Sequence, residues 1–209
     1  MDGTVPMVFV IDDDSTVRNA VARLIRSHGM QVATFASARE FLRCPSPDGP
    51  ACLVLDVRLA GEDGLRVQQL LQAAVWCPPI IFLTGYGTIP MTVQALKAGA
   101  VDFLQKPVDD DALLAAVATA LEQDHRRRDR QRSQAAVHQR VATLTPRERD
   151  VMALVITGLR NKEIAFALGT SEKTIKAHRA RLKEKMQAQS LADLVRIAAI
   201  IGMGEPLQA

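Results

Sequence analysis

A chain of 209 residues, 48% apolar and 23% charged, has the balance of an ordinary soluble globular protein of one large or two small domains, and is too hydrophobic for disorder throughout. Its longest apolar stretches are too short or interrupted to span a bilayer, and no basic n-region of a secretory signal is visible; three cysteines (Cys44, Cys52, Cys77) without C-x-x-C spacing argue against a disulfide framework or a zinc site. A reducing cytoplasm is the expected location. The net charge of +3 conceals an asymmetry: residues 1–123 carry 9 basic and 14 acidic side chains, net −5, whereas 124–209 carry 17 and 9, net +8. That pattern suggests two domains, the second meeting a polyanion.

In chain order, residues 7–11 form an apolar run ending in acids, as for a strand buried on both faces. A helix is predicted over 17–27, with Val17, Ala20, Val21, Leu24 and Ile25 on one face and Gly29 closing it. Further strands are predicted at 31–35, 51–55, 80–84 and 101–105, with helices at 38–42, 65–74, 89–98 and from 111 onward. Pro78-Pro79 and Lys106-Pro107 punctuate strand entry and exit. The alternation predicts a doubly wound α/β domain on a five-stranded parallel sheet. Residues 126–132, Arg-Arg-Arg-Asp-Arg-Gln-Arg, have no apolar member and read as an exposed helical linker continuing the last helix; a basic arm touching DNA phosphates is the alternative.

The remainder is helical in pattern. Thr145-Pro146-Arg147-Glu148 is a capping box with proline in the first turn. Asn161 is expected to cap a short helix ending at Gly169, Ser171 the next one through Met186, and Ser190 with Asp193 a last one. Helix, tight turn and helix over 161–186 have helix-turn-helix spacing.

In an open parallel sheet, ligands bind beyond the carboxyl ends of the strands. The residues predicted there are Asp12, Asp13 and Asp14, then Asp56, Thr84 and Lys106. Converging carboxylates repel by up to about 4 kcal/mol per close pair at an effective dielectric near 20. A divalent cation offsets that, and an all-oxygen donor set suits Mg²⁺. A lysine and a hydroxyl opposite are what a transferred phosphoryl group requires once one carboxylate is the nucleophile.

Residues 5–123 resemble the receiver domain of two-component response regulators through Val10-Ile11-Asp12-Asp13-Asp14, Leu53-Val54-Leu55-Asp56, Leu83-Thr84-Gly85 and Phe103-Leu104-Gln105-Lys106-Pro107. The stretches from Thr84 to Met91 and from Lys97 to Phe103 are similar to the FixJ branch of the FixJ/NarL family. The resemblance implies a flavodoxin-like fold with Asp56 as phosphoacceptor, attacking a phosphohistidine on a sensor histidine kinase. It further implies Mg²⁺ held by Asp13, Asp56 and the backbone carbonyl of Arg58 with Asp12 assisting, Lys106 paired with the phosphoryl oxygens, a cis bond before Pro107, and Thr84 with Phe103 as the switch. One departure stands out: Ala60-Gly61 occupies the loop where the family usually has proline, although Gly64 is retained. The looser loop is expected to alter metal affinity or phosphoryl lifetime while leaving phosphorylation intact.

Residues 143–202 resemble the LuxR-type helix-turn-helix domain through Leu144-Thr145-Pro146-Arg147-Glu148-Arg149, Asn161-Lys162-Glu163-Ile164-Ala165 and Thr174-Ile175-Lys176-Ala177-His178-Arg179. Spacing sets Ile175, Leu182 and Met186 inward and Lys173, Lys176, Ala177 and Ala180 outward, a face able to approach a major groove. The resemblance implies that this outer face reads DNA, with Arg179 close to phosphates and Asn161, Lys162 and Thr174 positioning the backbone. The last helix, with Leu191, Leu194, Val195 and Ala198, would cover the core and pair subunits. His178 has no partner ligand at a suitable spacing for a metal.

The expected domains are therefore a receiver at 5–123, a basic helical linker at 124–142 and a LuxR-type DNA-binding domain at 143–209. The expected protein is not an enzyme beyond its own phosphorylation and dephosphorylation. It dimerises when phosphorylated, through the face around the fourth helix, fifth strand and fifth helix, and binds promoter double-stranded DNA, with RNA polymerase as a further partner and no membrane. Two other readings stay open: a phosphorylation-independent DNA binder, and a Mg²⁺-dependent phosphohydrolase, for which no separate general acid is evident.

Overall fold

The computed structural model describes residues 4–203 apart from 60, 61, 75 and 86. The Ala60-Gly61 departure therefore lies outside the described residues. Contacts divide the chain into two compact units, 1–128 and 129–209.

The first unit alternates strands and helices: β1 (Met7–Ile11), α1 (Ser15–Ser27), β2 (Gln31–Phe35), α2 (Ala38–Phe41), β3 (Ala51–Asp56), the short antiparallel pair β4 (Arg58–Leu59) and β5 (Glu62–Asp63), α3 (Gly64–Gln72), β6 (Ile80–Thr84), α4 (Ile89–Lys97), β7 (Asp102–Gln105) and the start of α5 (Asp110–Ala142). The β4–β5 pair, two residues a side, is too short to show as a periodic pattern. The main sheet is parallel in the order β2-β1-β3-β6-β7.

Successive residues of a strand face opposite sides of the sheet, and here both sides are covered. Phe9, Ile11, Leu53, Leu55 and Phe82 pack with Phe41, Val67, Leu71 and Ala95 from α2, α3 and α4. Val8, Val10, Cys52, Val54, Ile81 and Leu83 pack with Val21 and Ile25 of α1 and Leu113, Val117 and Ala120 of α5. That is why these strands read as continuous apolar runs. Each large side chain so buried contributes about 1.5–3 kcal/mol relative to exposure. Ala22 is buried on α1, whereas Ala20, placed on that face by spacing, is exposed.

The linker continues α5 as a helix to Ala142, as expected, and departs from expectation only in the exposure of its first turn. Asp124 is wholly buried; its carboxylate accepts from Ala51 N at 2.9 Å and Arg128 Nε at 2.6 Å, and also from Arg127. Arg127 also donates to the Cys77 carbonyl and Arg128 to the Pro47 carbonyl. The first part of the basic run thus packs on the sheet domain through ion pairs, which an apolar pattern cannot reveal.

The second unit takes Val137 and Val141 from the end of α5 and adds α6 (Pro146–Val155), α7 (Asn161–Ala167), α8 (Glu172–Met186) and α9 (Leu191–Ile200). Its core joins Val151, Met152, Ile164, Ile175, Leu182, Met186, Leu194 and Ile197. The expected caps hold at Thr145, Ser171 and Ser190. Asn161 is instead the first residue of α7: Arg160 stands at the cap, its N–H donating to Glu163 Oε2 at 2.7 Å. Among the described residues, no helix is long and apolar enough to cross a membrane.

Candidate functional site

The order of the sheet reverses between β1 and β3, and Ile11 pairs with Leu55, so Asp12 and Asp56 leave adjacent strands side by side. This is the crevice where such sheets bind ligands. Lys106 follows β7, its backbone N–H donating to the Thr84 carbonyl at 2.7 Å. Its ammonium lies 2.7 Å from Asp12 Oδ2 and 2.7 Å from Asp56 Oδ2, with the acid side chains 2% and 10% exposed. The Lys106-Pro107 bond is cis.

The other oxygens are held by the main chain: Asp12 Oδ1 accepts from Asp14 N at 2.9 Å, and Asp56 Oδ1 from Arg58 N at 3.0 Å. Asp13 is exposed, and a carboxylate oxygen from each of Asp12, Asp13 and Asp56 lies within 4.8 Å of the others. Burial pushes the Asp12 carboxyl up, against the hydrogen bond and charge of Lys106. Burial alone would lower Lys106, but its hydrogen bonds to Asp12 and Asp56 and the charges of those carboxylates together outweigh that and raise it. Three carboxylates against one ammonium leave two negative charges, and the donors are all oxygen; both facts fit a divalent hard cation.

Two glycines permit this packing. A Cβ on Gly64 would lie 2.6 Å from the Asp56 carbonyl oxygen and 2.8 Å from Val57 Cα. One on Gly87 would lie 2.8 Å from the Phe103 ring and 2.9 Å from the Thr84 methyl. Thr84 is buried, and Phe103 is half-buried against Phe82.

In the second unit Lys173, Thr174, Lys176, Ala177 and Ala180 are all exposed along α8, opposite buried Ile175, Leu182 and Met186. Lys162 is exposed on α7, and Asn161 is half-buried, its Oδ1 accepting from Arg179 at 3.0 Å. The α7–α8 turn passes through Gly169 at φ +60°.

The family described as response regulator receiver domain matches residues 8–118, and that described as bacterial regulatory proteins, luxR family, matches residues 142–198. Nodulation protein W of Bradyrhizobium diazoefficiens is 50% identical over 200 residues, covering 96% of this chain and 88% of that one. Transcriptional regulatory protein FixJ of Azorhizobium caulinodans is 41% identical over 196 residues, covering 94% and 93%. The solved structure of response regulator StyR has a TM-score of 0.83 at 43% identity, covering 94% of this chain and 99% of that one. The chain belongs to the FixJ-like response regulators.

In this response regulator, the acidic pocket lies in the receiver domain and the exposed face of α8 in the LuxR-type DNA-binding domain. Receiver domains generally bind Mg²⁺ at such a pocket. Sequence reasoning missed Arg18, whose guanidinium donates to the Asp12 carbonyl at 2.6 Å and steadies the acidic loop. A basic residue one turn into the helix after the acids is the signal that could have found it. Asp14 caps α1, and the N–H of Thr16 holds its carboxyl below the usual range.

Proposed function

We propose that this response regulator is a phosphorylation-controlled, DNA-binding transcriptional regulator that accepts a phosphoryl group on Asp56 from a sensor histidine kinase. The observation that carries the reading is the Lys106 ammonium 2.7 Å from carboxylate oxygens of both Asp12 and Asp56 at adjacent strand ends. An Asp56 oxygen attacks the phosphorus of the phosphohistidine; the P–N bond breaks, its electron pair stays on the imidazole, and an acyl phosphate forms. Lys106 then pairs with the phosphoryl oxygens, Thr84 donates its hydroxyl to them, and Phe103 follows Thr84 inward. Asp13, Asp56 and the backbone carbonyl of Arg58, with Asp12 assisting, would hold Mg²⁺, which would supply neutralisation of the phosphoryl charge.

The phosphoryl group carries roughly two negative charges where the Asp56 carboxylate carried one, and it biases the face around α4, β7 and α5, where two copies pair. Ile89, Val93 and Leu96 are exposed there at helical spacing, which supports that pairing. The dimer presents two α8 helices about one turn of DNA apart. Lys173, Lys176, Ala177 and Ala180 meet base edges and phosphates, while Asn161, Lys162 and Thr174 position the backbone. Intact mass after incubation with a small-molecule phosphodonor and Mg²⁺ tests the reading. One phosphoryl group on the wild type and none on Asp56→Asn is expected. A wild type that stays unmodified both here and with candidate kinases would sink the reading in favour of phosphorylation-independent DNA binding.

A further inference from the structure

We infer that Arg179 serves DNA binding as a positioning residue: it fixes the Asn161 amide so that the NH₂ group turns outward to a DNA phosphate. The inference rests on the DNA-binding reading above and assigns Arg179 a task other than touching DNA. Ile175, Arg179, Leu182 and Met186 follow one another at i, i+4, i+7 and i+11 along α8, so Arg179 stands on the helix's buried stripe. The groove-facing residues Lys173, Lys176, Ala177 and Ala180 centre on another side, and both lysines there are exposed whereas Arg179 is half-buried. From that stripe the guanidinium reaches across to the first residue of α7 and donates to Asn161 Oδ1 at 3.0 Å.

The chemistry of the pair decides which way the amide points. A guanidinium has donors only, so the Asn161 atom facing it must be the carbonyl oxygen. The NH₂ group then lies on the other side of the amide plane's end; among the described residues it is neither buried without a partner nor paired with a protein acceptor. Without Arg179 the amide is free to flip, and the flipped form offers a phosphate an oxygen, which repels it. Arg179 thus removes one of two amide orientations before DNA arrives, an economy of ordering on binding.

A neutral amide contact and a cationic one differ in salt dependence, because only a cation that neutralises a phosphate releases a counterion. The test is binding of the full-length protein, treated with a small-molecule phosphodonor and Mg²⁺, to a mixed-sequence duplex by fluorescence anisotropy across a salt series. The set is wild type, Arg179→Ala, Asn161→Ala and the double variant, with thermal melts checking the fold. Arg179→Ala is expected to lower affinity roughly 3–10-fold, the worth of about one hydrogen bond, with the slope of log K against log salt unchanged. The double variant should bind no worse than Asn161→Ala alone. Asn161→Asp keeps the acceptor for Arg179, so it folds, and is expected to bind more weakly than Asn161→Ala. A slope reduced by about 0.9 in Arg179→Ala, or losses that multiply in the double variant, would overturn the inference while leaving DNA binding intact. A wild type that fails to bind the duplex even at low salt overturns both.

Discussion

Gly64 packs against the main chain of Asp56 and Val57 and Gly87 against Thr84 and Phe103, so the atoms a methyl group would meet are of different kinds. At Gly64 they are backbone: the Asp56 carbonyl oxygen at 2.6 Å and Val57 Cα at 2.8 Å. Relief there must move the main chain that carries the phosphoacceptor candidate. At Gly87 they are the ends of side chains, the Phe103 ring and the Thr84 methyl, which can turn. Gly64→Ala is therefore expected to cost about 1–3 kcal/mol, seen as a lower melting temperature, and to slow phosphoryl uptake. Gly87→Ala should keep the fold and the uptake but blunt the gain in DNA affinity that a phosphodonor produces. Equal melting temperatures for wild type and Gly64→Ala would refute the backbone argument. At this scale the sequence was a good guide to acids at strand ends, because the apolar runs fix where each strand stops. Its periodicity did not point to Arg18, since a long side chain reaching back to two carbonyls leaves no periodic trace; only its place one turn into α1 did.

Among the helices, α6 shows how a local motif acquires a tertiary partner. The capping box joins Thr145 and Glu148 reciprocally, the Thr145 N–H donating to Glu148 Oε2 at 2.9 Å. The same Oε2 accepts from Lys185 of α8 at 2.7 Å, and Lys185 also donates to the Thr143 carbonyl at 3.0 Å. The hydrogen bond from Lys185, then that from Thr145, holds the Glu148 carboxyl down to about 2 from an ordinary 4.5. A depressed folded-state value contributes stability that is fully present above about 4.5 and lost as pH falls toward about 2. The difference in melting temperature between wild type and Glu148→Gln should thus be full at neutral pH, shrink below about 4.5 and close near 2. A difference independent of pH over that window would show that the carboxylate's charge does not matter. The box was legible because it is written within four residues, whereas Lys185 lies 37 residues away and no local pattern names it. The cap of α7 misled for the opposite reason: Asn161 has the right side chain for a cap, but Glu163 closes on Arg160.

The two-unit organisation announces itself in the charge asymmetry, but the limit of the first unit does not. A boundary at 123 follows from treating the arginine run as solvated, since no apolar side chain marks it as packed. Contacts instead carry the first unit through Arg128. There Asp124 grips the amide of Ala51, which begins β3, and Arg127 the carbonyl of Cys77 ahead of β6. These are the two strands whose far ends carry Asp56 and Thr84. We propose that the receiver is complete only with this turn of α5. A fragment ending at residue 128 is expected to melt above one ending at 123, because truncation leaves the buried Ala51 amide without its acceptor, at about 1–3 kcal/mol. Asp124→Ala in the longer fragment should fare worse than truncation. It strands Arg128, whose side chain is 14% exposed, beside a vacated acceptor, and removing one partner of a buried pair costs about 3–5 kcal/mol. Identical melting of the two fragments would return the boundary to 123 and leave the ion pairs as surface ornament. The expected order, longer fragment above shorter and Asp124→Ala below both, is one that a merely solvated basic linker cannot produce.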